Sequence, residues 1–72
     1  MKKIGIVKEF DGYNGIIESL DGIEYNIFKK DIYYDNINKY DSVTFIPEEY
    51  KKPEYETNVA RFVKKLDKNL IK

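Results

Sequence analysis

Side chains capable of acid–base, nucleophilic or metal chemistry are unevenly represented in these 72 residues. There is no histidine and no cysteine, which removes histidine-based triads, thiolate nucleophiles and soft metal sites. Aspartate and glutamate are plentiful, 13 in all. General acid–base work, however, needs a cleft that moves a carboxyl pKa, and a chain this short offers little more than a groove. The nearest approach to a metal-binding run, Asp31-Ile32-Tyr33-Tyr34-Asp35-Asn36, lacks the spacing of an EF-hand loop. No metal, no cofactor and no catalytic residue is expected.

The chain carries rings instead, seven tyrosines and four phenylalanines. Tyrosine suits half-wet surfaces, because its body is apolar and its tip seeks a hydrogen bond. Net charge is zero, but the distribution is lopsided: residues 1–60 balance at −4 and residues 61–72 at +4. An end-loaded basic segment reads either as a solvated tail or as an arm for a polyanion.

These side chains need a scaffold, and 72 residues allow one domain with a modest core. Without disulfides or zinc, the core alone must hold the fold, which favours a closed, tightly paired architecture. No apolar run approaches the roughly 20 residues of a membrane span, and nothing after Met1-Lys2-Lys3 resembles a signal-peptide core. A soluble, cytoplasmic protein is the expectation.

Five strands are predicted. Lys3 to Phe10 is rich in β-branched residues and too short for a stable helix. Turn residues Asp11 to Gly15 follow, then a second strand from Gly15 to Leu20. Asp21-Gly22 matches a two-residue type I′ hairpin turn, leading to a third strand from Ile23 to Phe28. Lys29 to Asp41 is a long polar connection with room for a short helical turn, anchored by Ile32, Tyr33, Tyr34 and Ile37; its length is suspicious for function. Ser42 to Ile46 forms a fourth strand that Pro47 is expected to stop, and Glu48 to Glu56 a charged loop. Asn58 to Leu66 alternates as a strand, yet Val59, Phe62, Val63 and Leu66 also mark a helical face. A strand through about Leu66 is taken.

The natural solution is an all-β fold, a small closed barrel of five short strands over residues 1–66 with a basic C-terminal tail at 67–72. Alternation places Val7, Ile17, Tyr25, Ile27, Val43, Phe45 and Val59 inside. Ile16, Glu18, Asn26 and Phe28 are left on the outer face.

Gly5-Ile6-Val7-Lys8-Glu9-Phe10-Asp11 resembles the G-x-V-K-W-F-N opening of the bacterial cold-shock domain. Gly15-Ile16-Ile17 is similar to the end of that family's K-G-F-G-F-I motif, through a turn about two residues shorter. Asp21-Gly22 and Glu24 to Phe28 fall where D-G and D-V-F-V-H sit, and Asp31-Ile32 continues the register. Ser42-Val43-Thr44-Phe45 looks like the fourth strand and Asn58-Val59 like the opening of the fifth. The ordered set spans about Lys3 to Arg61. The resemblance implies a five-stranded antiparallel OB-type, cold-shock-like barrel that binds single-stranded RNA or DNA by stacking bases on aromatics beside basic residues.

On that basis the candidate nucleic-acid-binding residues are Lys8, Phe10, Tyr13, Ile16, Asn26, Phe28, Lys29, Lys30, Tyr33, Tyr34 and Lys52. Several depart from the family pattern. Glu9 stands at the tryptophan, Asn14 and Ile16 at two phenylalanines, Asn26 at a third, Lys29 where another aromatic is common, and Phe28 at the histidine. Each has a structural reading as well. Phe28 either stacks bases or caps the barrel end, Phe10 either stacks or joins the core, and Lys29-Lys30 either grips phosphate or is solvated. With stacking worth roughly 1–3 kcal/mol per base, the lost platforms imply weak binding with little sequence preference. The alternative is a protein-interaction module that kept the barrel and gave up stacking, with an apolar patch of Ile16, Phe28 and tyrosines rimmed by acids.

Overall fold

The computed structural model describes residues 1–33, 36–52 and 55–66, the side chains of 50–52 and 55–57 falling outside that description. Five strands run in the order β1 (Lys3–Phe10), β2 (Asn14–Ser19), β3 (Glu24–Phe28), β4 (Ser42–Lys52) and β5 (Tyr55–Lys65), with a 3-10 helix, Lys29–Asp31, after β3. They close a barrel in the order β1-β2-β3-β5-β4. Its seams are antiparallel except the one between β3 and β5, which is parallel through the pair Asn26 and Val59. The all-β, five-stranded barrel expected from patterning is therefore the observed fold.

The interior is Val7, Ile17, Tyr25, Ile27, Ile37, Val43, Phe45, Ala60 and Val63, all essentially inaccessible, with Phe10 and Ile32 packed against them. The Tyr25 and Phe45 rings meet at 5.0 Å between centroids, tilted by 58°, within the range that favours aromatic pairs. All seven residues assigned inward by alternation are buried. Val59 stands outside the contiguous cluster, and on β5 the interior is filled by Ala60 and Val63. Ile37 plugs the core from the long connection, as its role as an anchor requires.

Four local expectations are corrected. The β2–β3 link is a three-residue turn, not a two-residue type I′ turn. The Gly22 amide donates to the Ser19 carbonyl at 2.9 Å, and the Ser19 amide to the Ile23 carbonyl at 2.9 Å. Gly22 at φ +89° takes the left-handed position, the pattern of a type I turn closed by a glycine bulge. The extra residue sets the register: Ile17 lies opposite Tyr25, whereas a two-residue link would place it opposite Asn26 on the solvent face.

Pro47 does not end the fourth strand, and Glu48 to Glu56 is not simply a loop: β4 runs on to Lys52, paired with β5 from Pro47↔Ala60 to Lys52↔Tyr55. β1 accompanies β4 only as far as Lys3↔Phe45, so Pro47 lies where β4 has an open edge, the place in a sheet that tolerates proline. The fifth strand correspondingly starts at Tyr55 rather than Asn58.

The strand taken through about Leu66 is observed, and the helical spacing within it is a bulge. Residues 62 and 63 face one residue, Phe45, because Arg61 pairs with Ile46 and Lys64 with Thr44. The extra residue sends Phe62 outward and brings Val63 in, with Phe62 62% exposed and Val63 fully buried. A second bulge in β1, between Val7 and Glu9, turns Glu9 to the outer face and Phe10 toward the core.

Candidate nucleic-acid interface

The register lays three cross-strand rows on the outer face of β1, β2 and β3. Ile6, Glu18 and Glu24 form the row nearest the β2–β3 turn, Glu9, Ile16 and Asn26 the middle row, and Asn14 with Phe28 the last. Carboxylates therefore crowd one end of the face and its centre. Lys8, the bulge residue, extends its Nζ to 3.2 Å from Glu18 Oε1 with both side chains about half exposed. Such a surface pair is worth at most about 1 kcal/mol, so it yields readily to a stronger anion.

Rings and cations collect at the opposite end, where the β1–β2 turn meets the 3-10 helix. Asp11 builds the turn, its Oδ1 accepting the Tyr13 and Asn14 amides at 2.8 Å each. Those two backbone donors, Asn14 foremost, hold the Asp11 carboxyl below the usual range. Gly15 follows where an added Cβ would collide with the Glu9 carbonyl oxygen, so only glycine lets β1 and β2 approach this closely. The Lys29 amide donates to the Tyr13 carbonyl at 2.8 Å, tying turn to helix. Above that bond the Lys29 ammonium lies 5.4 Å from the Tyr13 ring centroid, a cation–π distance. Tyr13 is 69% exposed, Phe28 is half-buried and Lys30 is exposed. A groove beside them is lined by Phe10, Gly12, Lys29, Ile32, Asn36 and Asn38, supplying apolar walls, two amides and one cation.

The predicted residues thus divide. Tyr13, Phe28, Lys29 and Lys30 come together at one end of the barrel, with Tyr33 half exposed just beyond them. Phe10 packs against the core and presents only an edge to the groove. Lys8, Ile16 and Asn26 lie on the acidic part of the face. Tyr34 and the Lys52 side chain lie outside the described residues, as does the 67–72 tail. Asn36 and Asn38 escaped notice in the sequence because isolated asparagines in a polar connection carry no pattern. Among the described residues no group of three or more carboxylates is placed to hold a metal ion, and no helix is long and apolar enough to cross a membrane.

The other end of the barrel is held by a separate polar network. Lys3 Nζ reaches Asp21 Oδ2 at 2.7 Å and the Tyr25 hydroxyl at 2.8 Å. Asp21 also accepts from the Ser19 hydroxyl and the Ile23 amide. Lys3, then Ser19 and Ile23, lower the Asp21 carboxyl to about 2, while Asp21 and Tyr25 raise the Lys3 ammonium.

No protein-family model matches the sequence, and no curated protein does. The structure is similar to a solved chain of Drosophila Unr, CSD456, a cold-shock domain, with a TM-score of 0.73 across 100% of this chain and 13% sequence identity. This chain spans 29% of the length of that one. The protein has the fold of a cold-shock domain, a closed OB-type barrel.

Proposed function

We propose that this chain is a divergent cold-shock-like domain that binds single-stranded nucleic acid, RNA or DNA, weakly and with little sequence preference. The observation that carries the reading is the gathering of Tyr13, Phe28, Lys29 and Lys30 at one end of the barrel, away from Glu18, Asp21 and Glu24 at the other. Exposed rings stack on bases of any identity, and adjacent cations engage the backbone. The carboxylates on the rest of the face repel phosphate, which supports a short footprint and modest affinity. Titration of labelled oligo-U and oligo-T at low salt tests it. Phe28→Ala is expected to weaken binding about tenfold, one stacked base. Absence of binding by the unmodified protein, at concentrations on the order of tens of micromolar typical of nonspecific association, overturns it.

A second reading, a protein-interaction module, draws support from the middle row and the turn-end row of the same face. Ile6 and Ile16 sit there among Glu9, Glu18 and Glu24, an apolar strip with an acidic rim suited to a basic partner. Glu18→Gln separates the two. It frees Lys8 and removes a repulsive charge, so oligonucleotide affinity rises if nucleic acid is the ligand. Affinity for a basic protein partner falls instead.

A further inference from the structure

Phe62 is a bulky residue in the middle of a strand with φ +52°, a conformation that favours glycine and costs other side chains strain. Its two neighbours are both held. Arg61 is pinned by Nε to Glu48 at 2.7 Å and by NH1 to Asp31 at 3.1 Å. Val63 is fully buried, and its carbonyl accepts the Tyr33 amide at 2.8 Å. Placing Val63 inward explains the bulge but not the ring. Glycine or asparagine would satisfy the backbone with less strain, and a polar side chain would suit the exposure. Tyr40, the other described non-glycine residue at positive φ, sits in a turn, where that conformation is ordinary.

We infer that Phe62 is a base-stacking platform that extends the single-stranded track from the barrel end onto the outer side of β5, with Lys64 supplying the phosphate contact. This rests on the nucleic-acid reading above. The route is continuous: Phe28 ends β3, Lys29 and Lys30 follow in the 3-10 helix, and Ile32 and Tyr33 pair with Val63, next to Phe62. Along that route the Asp31 carboxylate is engaged by Arg61. Lys64 is exposed two residues beyond Phe62, forms no ion pair among the described residues, and faces Thr44 rather than an acid across the seam. A ring and an exposed cation beside it match the alternating stacking and charge of single-strand binding.

The test compares a trithymidylate with a nonathymidylate, the latter within the roughly 4–16 nucleotides an OB fold accommodates, on the full chain. Phe62→Gly removes the ring and relaxes the backbone, so folding is retained; Phe62→Tyr keeps the ring. Phe62→Gly should bind the trimer unchanged and the nonamer about tenfold more weakly, while Phe62→Tyr matches the unmodified protein and Phe28→Ala weakens both. Unchanged nonamer affinity in Phe62→Gly, with Phe28→Ala still impaired, overturns the inference and leaves the nucleic-acid reading standing. Failure of the unmodified protein to bind either oligomer overturns both. A concentration-dependent mass that Phe62→Gly abolishes, with oligomer affinity unchanged, assigns the ring to a contact between copies and likewise overturns the inference.

Discussion

One nitrogen of Arg61, NH1, stands 3.1 Å from each carboxylate oxygen of Asp31, joining β5 to the 3-10 helix that presents Lys29 and Lys30. The same guanidinium reaches Glu48 on β4 through Nε at 2.7 Å. The 3-10 helix, β4 and β5, consecutive in the chain, therefore share one cation. Asp31→Asn keeps the shape and removes the charge, and is expected to cost about 1–2 kcal/mol, since both side chains are largely shielded and a charged hydrogen bond is lost. Urea unfolding checks this as a lower midpoint at unchanged slope. A fall in slope instead would mean that the folded state itself had loosened.

Acid should weaken the fold through Asp21. Its folded-state pKa, about 2, lies below the usual 3.8, so the unfolded chain binds the proton more readily. The contribution is complete above about pH 4 and disappears as pH falls toward about 2. Asp11, also lowered, acts in the same direction. In Asp21→Asn the loss between pH 5 and pH 2.5 should be smaller than in the unmodified protein, read from urea midpoints at the two pH values. An identical loss in both would place the acid sensitivity elsewhere.

The interior leaves little margin. Ile27 is fully buried in the cluster shared by all five strands. Ile27→Val should cost about 1 kcal/mol and Ile27→Ala about 2–5 kcal/mol. Small domains have total stabilities of only about 5 kcal/mol or a little more, so the alanine variant should show a partly or wholly lost thermal transition by circular dichroism while the valine variant keeps a cooperative one.

Salt dependence reports on the two lysines of the 3-10 helix. If Lys29 and Lys30 each meet a phosphate, replacing both by alanine should reduce the slope of log affinity against log salt by about 1.4, at about 0.7 per contact on a single strand. Titration at three or more salt concentrations measures it. An unchanged slope with lowered affinity would mean that Lys29 acts only by supporting the Tyr13 ring.

Much of the architecture is legible in residue order. Alternation in IEYNIF selects Tyr25 and Ile27 for the interior, because successive side chains of a strand point to opposite faces; in KIGIVKEF it holds only as far as Val7, where the bulge at Lys8 breaks it. Glycine, asparagine and aspartate mark the turns, because few other residues accept their backbone angles. Absence of histidine and cysteine restricts the available chemistry without reference to any fold. Which rings and lysines come together was only partly legible, through the resemblance that singled out Tyr13, Phe28 and Lys29.

Tertiary structure alone decided the rest. Bulges at Lys8 and Phe62, the three-residue turn at Leu20 to Gly22 and the continuation of β4 through Pro47 all depend on the neighbouring strand. An extra residue is tolerated only where closing the barrel bends the sheet, and proline only where an edge lies open. No local pattern encodes either condition, since both are properties of pairs of strands distant in sequence. The exposure of Phe62 is the clearest case: its inward or outward direction was settled by Val63 filling the core and by Arg61 being held between Asp31 and Glu48.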